Sequence, residues 1–160
     1  MRVLYRIAPA KHAHDLSGEG ARLTGGRWNS KATAVLYTSE TRSLAAMEYL
    51  VHVSLMDLPP EIKIVSIGIP DSNIPKLIDA SNLPEDWHSS PAPFALAKIG
   101  TDWVSSMGSL LLQVPSTVII HEFNILINPM HPEMKSVSII DVEDFKYDER
   151  LYKTAKTQTK

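Results

Sequence analysis

The chain has 160 residues, 44% of them hydrophobic and 21% charged, with a net charge of −2 and no cysteine. That length suits one domain with a substantial core. The near-neutral charge argues against broad electrostatic binding of nucleic acid or anionic membrane, and the lack of cysteine excludes disulfides and thiolate chemistry. Met1 to Arg6 alternates with charge inside it, unlike a signal peptide. No apolar run approaches the ~20 residues of a membrane helix. The expectation is a soluble cytoplasmic protein with no membrane contact.

Taken in chain order, Arg2 to Ile7 alternates Val3, Tyr5 and Ile7 against Arg2, Leu4 and Arg6, which predicts a strand. Residues 9–31 are rich in Gly, His, Ser and charge and read as a long irregular loop, a feature that is often functional in a small domain. Val35 to Thr38 reads as a short strand. Ser39 is the expected N-cap of a helix from about Glu40 to Ser54, with Glu40 favourable in its first turn. Ile62 to Ile69 is β-branched and apolar and stops at Pro70. Ile74 to Ala80 suggests a short helix. A longer helix is expected from Pro93 to about Met107, broken by Gly108. Leu110–Val114, Thr117–His121, Ile125–Ile127 and Val137–Val142 read as strands. Helices and strands mix without regular alternation, so the fold class is α+β, with mixed or antiparallel strands and flanking helices. One domain is expected over 1–154, followed by a polar, frayed tail over 155–160.

The residues that could carry chemistry are few. No P-loop, dinucleotide-binding glycine triplet, His-Glu-x-x-His or calcium loop is present, and no metal site is expected. His12 and His14 read as solvated loop residues. Glu48 lies four residues after Leu44 and three before Val51, on a stripe that should face the core. A buried carboxylate needs a partner or a task; an arginine such as Arg6 could pair with it. Gly25-Gly26-Arg27-Trp28-Asn29 joins permissive glycines to a planar guanidinium suited to phosphate or carboxylate. The plainer reading is a turn whose arginine makes a surface ion pair and whose tryptophan fills the core. Tyr37 fits half-buried packing or stacking on a planar ring, and Ser116 after Pro115 fits a turn.

The ordered set of these motifs resembles the RES domain family, named for Arg, Glu and Ser, here Arg27, Glu48 and Ser116. The resemblance runs through Leu4-Tyr5-Arg6, Gly25 to Asn29, Val35 to Ser39, Leu44 to Glu48, Val114-Pro115-Ser116, Glu122 to Pro129 and Phe145 to Leu151. It implies a fold similar to ADP-ribosyltransferase toxins and a toxin that degrades NAD at its nicotinamide–ribose bond, by hydrolysis or phosphorolysis. It also implies an antitoxin partner with a helix-turn-helix, Xre-like DNA-binding domain. NAD is then substrate, with no resident cofactor. Glu48 would stabilise the ribose cation, Arg27 would hold the pyrophosphate or adjoining ribose, Tyr37 would stack on nicotinamide, and Ser116 would orient Glu48 or the ribose. Arg6 is a second candidate for a phosphate contact. Alternatives are ADP-ribosyl transfer to a specific protein and a non-catalytic partner-binding module; a nuclease fits the charge balance poorly. The apolar strands near the C-terminus could support a homodimer.

Overall fold

The computed structural model describes residues 1–153; the expected tail over 155–160 lies outside the described residues. Seven strands form one sheet: β1 (Arg2–Pro9), β2 (Leu36–Ser39), β3 (Ile62–Ile69), β4 (Lys76–Leu77), β5 (Leu111–Pro115), β6 (Phe123–Ile127) and β7 (Ser138–Phe145). Their spatial order is β4-β5-β6-β2-β1-β3-β7. All neighbours are antiparallel except β4 and β5. The helices are α1 (Glu19–Thr24), α2 (Arg42–His52), α3 (Phe94–Ser106) and α4 (Arg150–Lys153). The expected α+β class holds.

Alternation along the strands sends side chains to two faces. Leu4, Val65, Ile67, Ile69, Leu111, Ile125 and Ile127 fill a core on one face. Residues one step away fill two clusters on the other. Leu112, Val114 and Leu126 meet Trp28, Leu96, Trp103 and Val104 beneath α3. Ile7, Ile62 and Ile64 meet Ala45 of α2 and Tyr147. Between those clusters runs a polar seam, and the candidate site lies there.

The two halves of the sheet join at β1 and β2, whose register rests on the single pair Tyr5 and Ser39. By contrast, β1 pairs with β3 along its whole length, and β2 pairs with β6 from Leu36 to Ser39. Beyond Tyr5 and Ser39 the strands diverge. A cavity of about 420 Å³ is lined from both sides of this split, by Arg6 and Pro9 of β1 and by Leu36 and Tyr37 of β2. Asp15, Gly18 and Glu19 line it from the intervening segment.

Several expectations change. Ser39 does not cap α2, because it is the last residue of β2 and its hydroxyl is committed across the sheet. Thr41 caps instead, its side chain accepting from Leu44 N at 3.0 Å, so the helix begins at Arg42, leaves Glu40 outside, and ends at His52. The segment 9–31 is not wholly irregular: Ser17 accepts from Glu19 N and introduces α1. No helix forms over 74–80. Pro75 biases Ile74 away from helical geometry, and Lys76–Leu77 instead pairs with Leu112–Gln113. Thr117–His121 is not a strand, because the Ser116 hydroxyl accepts from both Val118 N and Ile119 N and turns the chain. At the end of α3 the left-handed residue is Met107, φ 53°, rather than Gly108.

Candidate active site

The loop of Gly26 to Asn29 is closed by two main-chain hydrogen bonds, Gly26 N to Asn29 O at 2.9 Å and Asn29 N to Gly26 O at 3.4 Å. Arg27 and Trp28 form its tip. Trp28 is buried in the α3 cluster, and Gly100 of α3 lets the helix approach it: a Cβ there would sit 1.7 Å from Trp28 O. Asn29, only 1% exposed, is the staple of the loop. Its amide donates to Ala21 O at 2.8 Å and Thr33 O at 3.0 Å, and its Oδ1 accepts from the Tyr37 hydroxyl at 2.7 Å. That hydroxyl in turn accepts from Trp28 N at 3.0 Å. A Cβ on Gly26 would stand 2.8 Å from both Asn29 Oδ1 and the Tyr37 hydroxyl, so the second glycine is there for close approach.

Packing therefore fixes Arg27 from behind, and two carbonyls fix it in front. Its Nη1 donates to Trp87 O at 2.9 Å and its Nη2 to Ser89 O at 3.0 Å. The surface ion pair of the plainer reading is not found among the described residues. Burial lowers the Arg27 pKa, while Glu48 and Tyr37, close enough to act on its charge, oppose that shift. Burial likewise pushes the Tyr37 hydroxyl well above its ordinary range, against the Trp28 N–H and the Arg27 charge, so Tyr37 is a neutral donor at physiological pH.

Glu48 is partly buried in the middle of α2. The core stripe expected for it holds only on one side: Leu44 is 1% exposed, but Val51 is 57% exposed, so Glu48 sits at the margin of the packed face. It does not pair with Arg6. Its Oε1 accepts from the Ser116 hydroxyl at 2.7 Å and from Asn124 Nδ2 at 2.6 Å. Ser116 reaches it because β5 stops at Pro115 and the chain turns, its own N–H donating to Glu122 O at 2.9 Å. Asn124 belongs to β6 and is the register partner of Ser39, whose hydroxyl donates to Asn124 Oδ1 at 2.7 Å. Among the described residues, Glu48 Oε2 has no hydrogen-bond partner.

Glu48, Ser116, Arg27 and Tyr37 thus converge on the seam. Arg6 stands apart from Glu48, in the cavity at the strand split. Its Nη1 donates to Asp15 O at 2.6 Å, and burial lowers its pKa against the attraction of Asp15. Tyr37 belongs to both places, lining the cavity and lying near Arg27. In the sequence Ser39 stood out only as a helix cap, and neither Asn124 nor Asn29 stood out as a site residue. Asn29 and Asn124 lay inside quoted motifs, but an isolated asparagine carries no sequence signal for what its amide will meet.

The model of the RES domain matches residues 3–148. The chain belongs to the RES domain family. Similar members include Toxin Res of Yersinia enterocolitica, 40% identical over 93% of this chain and 99% of that protein. Another is the Prs ADP-ribosylating toxin of a Sphingobium species, 38% identical over 89% of this chain and 90% of that protein. Toxin Res of Photorhabdus laumondii is 35% identical over 96% and 99% of the respective chains. Among solved structures, the crystal structure of the M. tuberculosis MbcT-MbcA toxin-antitoxin complex contains a chain with the same fold. The TM-score is 0.73 at 16% identity, over 98% of this chain and 90% of that one. In this RES domain Ser116 donates to Glu48, and the Glu48 charge acts on Arg27, whose guanidinium is bonded to two carbonyls. Among the described residues no helix is long and apolar enough to cross a membrane.

Proposed function

We propose that this RES domain is the toxin of a toxin–antitoxin pair and that it breaks the nicotinamide–ribose bond of NAD. The observation that carries the reading is the state of Glu48. One of its oxygens is held by Ser116 and Asn124, the other has no hydrogen-bond partner among the described residues, and the carboxylate is close enough to act on the Arg27 charge. A carboxylate held this way is preorganised to act on charge that develops in a transition state.

The chemistry follows. The C1′–N bond breaks and its electron pair leaves with nicotinamide, which departs as a neutral pyridine. The ribose is left with oxocarbenium character. Glu48 stabilises that positive charge through Oε2 and holds a ribose hydroxyl. Arg27 offers the N–H groups not engaged by Trp87 and Ser89 to the pyrophosphate or the adjoining ribose. Tyr37 supplies a ring face to nicotinamide, its hydroxyl being tied to Asn29 and Trp28. Arg6 lines the adjoining cavity, where a second phosphate contact fits. A nucleophile then adds at C1′, and water or an acceptor hydroxyl gives up its proton to solvent.

The acceptor divides two readings. Hydrolysis or phosphorolysis consumes NAD outright, whereas transfer modifies a cellular protein. The name of the Sphingobium relative favours transfer as the second reading. Either activity needs an inhibitor during growth, supplied by an antitoxin with an Xre-like helix-turn-helix domain. It would act in the cytoplasm, with no resident cofactor. NAD labelled in its adenine moiety, incubated with pure protein, phosphate and cell extract, separates these outcomes. Free ADP-ribose or its 1-phosphate marks consumption, and a labelled protein band marks transfer. NAD left intact under all conditions would overturn the enzyme reading and leave a non-catalytic partner module.

A further inference from the structure

Asn124 is the only group besides Ser116 that donates to Glu48 among the described residues. The two donors differ in what holds them. Ser116 sits on a turn after β5, whereas Asn124 is built into β6, directly across from Ser39 of β2. Both Ser39 and Asn124 are in the antiparallel ladder, and Ser39 is also the single residue through which β2 registers with β1. The position of Asn124 is therefore set by the sheet and not by a loop.

An asparagine amide could present either its oxygen or its nitrogen to Glu48. Here the choice is determined. With Nδ2 toward the carboxylate, Oδ1 faces the Ser39 hydroxyl, and both contacts at 2.6–2.7 Å have a proton between them. The flipped amide would set two oxygens at 2.6 Å with none. The terminal torsion of a glutamate is soft. Two donors from independent elements on the same oxygen, Oε1, stop that torsion, so Oε2 keeps one direction.

We propose that Asn124, oriented by Ser39, is a positioning residue: it engages Glu48 Oε1 so that Oε2 is the oxygen presented to the substrate ribose. This role rests on the reading of Glu48 as the carboxylate that acts on NAD. Ser116 alone would hold Oε1 from one side and let the carboxylate rotate.

The test uses the full-length protein and Asn124→Asp, which keeps the shape and the acceptor for Ser39 but replaces the donor at Glu48 with an acceptor. NAD is the substrate. Carba-NAD, in which a methylene replaces the ribose ring oxygen, counts intact binding sites. The expected result is a kcat for nicotinamide release lower by roughly 10–100-fold per binding site. KM and carba-NAD affinity should stay within about threefold, because the Asn124 amide is already engaged by Glu48 and Ser39. Ser39→Ala should lower kcat in the same way but less. Asn124→Asp combined with Glu48→Gln restores a donor–acceptor pair in reverse. Its melting midpoint should recover to that of Glu48→Gln alone, with no recovery of kcat. A merely structural role would lower the number of carba-NAD sites and leave kcat per site unchanged; that outcome overturns the proposal. So does wild-type kcat in Asn124→Asp while Glu48→Gln is impaired. A wild type that releases no nicotinamide overturns the functional reading itself, and the melting cycle still shows whether the Asn124–Glu48 contact exists.

Discussion

Replacing Ser116 by alanine should cost stability as well as activity, and the geometry gives the size of each. The hydroxyl makes three hydrogen bonds: it donates to Glu48 Oε1 at 2.7 Å and accepts from Val118 N at 3.0 Å and Ile119 N at 3.1 Å. A bond to a charged group contributes about 1.5–3 kcal/mol and a neutral one about 0.5–1.5. Three together suggest ~2.5–6 kcal/mol. Two considerations reduce this. All three bonds share one oxygen, so they are not additive. Val118 and Ile119 are only partly buried, so water can reach their N–H groups once the hydroxyl is gone. Ser116 itself is 4% exposed, which limits relief at its own position. A loss of about 2–4 kcal/mol is expected. In a chain of this length each kcal/mol moves the melting midpoint by roughly 2–4 °C, so Ser116→Ala should melt about 4–16 °C below wild type. Nicotinamide release should fall by ~10–100-fold, because Glu48 keeps only its Asn124 donor. Urea unfolding with a common m-value, followed by tryptophan fluorescence, measures the first number. A Ser116→Ala protein within about 0.5 kcal/mol of wild type would refute the claim that this hydroxyl organises both the turn and the carboxylate.

Three other changes follow from particular contacts. Gly100→Ala should destabilise by roughly 2 kcal/mol or more in chemical unfolding, since the added Cβ would meet Trp28 O at 1.7 Å and overpacking outweighs the ~1 kcal/mol that alanine gains in a helix. A stabilised variant would contradict the packing of α3 on the arginine loop. Tyr37→Phe removes the bonds to Asn29 Oδ1 and Trp28 N but keeps the ring. A stability loss of about 1–3 kcal/mol is expected, with kcat/KM lowered less than tenfold if the ring face is what meets nicotinamide; a larger loss assigns the chemistry to the hydroxyl. Tyr147, whose hydroxyl donates to Ala46 O at 2.5 Å, is pushed by burial to about 12. Its unfolded form ionises near 10, so between those pH values the unfolded chain binds fewer protons and stability falls as pH rises. Unfolding midpoints from pH 9 to 12 should therefore decline less in Tyr147→Phe than in wild type.

Where a segment's own chemistry decides its structure, the sequence was enough. Ile62–Ile69 is β-branched, ends at a proline, and is β3 residue for residue. Pro93 to Met107 brackets α3 because proline suits a helix start and the apolar spacing follows one face. Where distant groups compete for a polar side chain, local rules fail. Ser39 has the chemistry of a cap, yet Asn124, 85 positions away, takes its hydroxyl. Thr117–His121 has β-branched residues suited to a strand, yet the Ser116 hydroxyl captures two of its N–H groups. The site divides the same way. Glu48 was conspicuous because a carboxylate interrupts an apolar helix. Arg27, Tyr37 and Ser116 were ambiguous as single residues and became a set through the family resemblance. Asn124 and Ser39 were not legible, since their roles depend on a cross-strand register that no local pattern specifies.

The central claim is that Glu48 acts on NAD through one free oxygen, and Glu48→Gln tests it most directly. A glutamine carbonyl can still accept from Ser116 and Asn124 at the place of Oε1, which directs the amide nitrogen to the place of Oε2. The fold should survive with a melting midpoint within a few degrees of wild type, while the charge facing the ribose is gone. In a single-turnover measurement of nicotinamide release, wild type should cleave NAD and Glu48→Gln should be slower by at least ~100-fold. Equal rates in the two proteins would contradict the account.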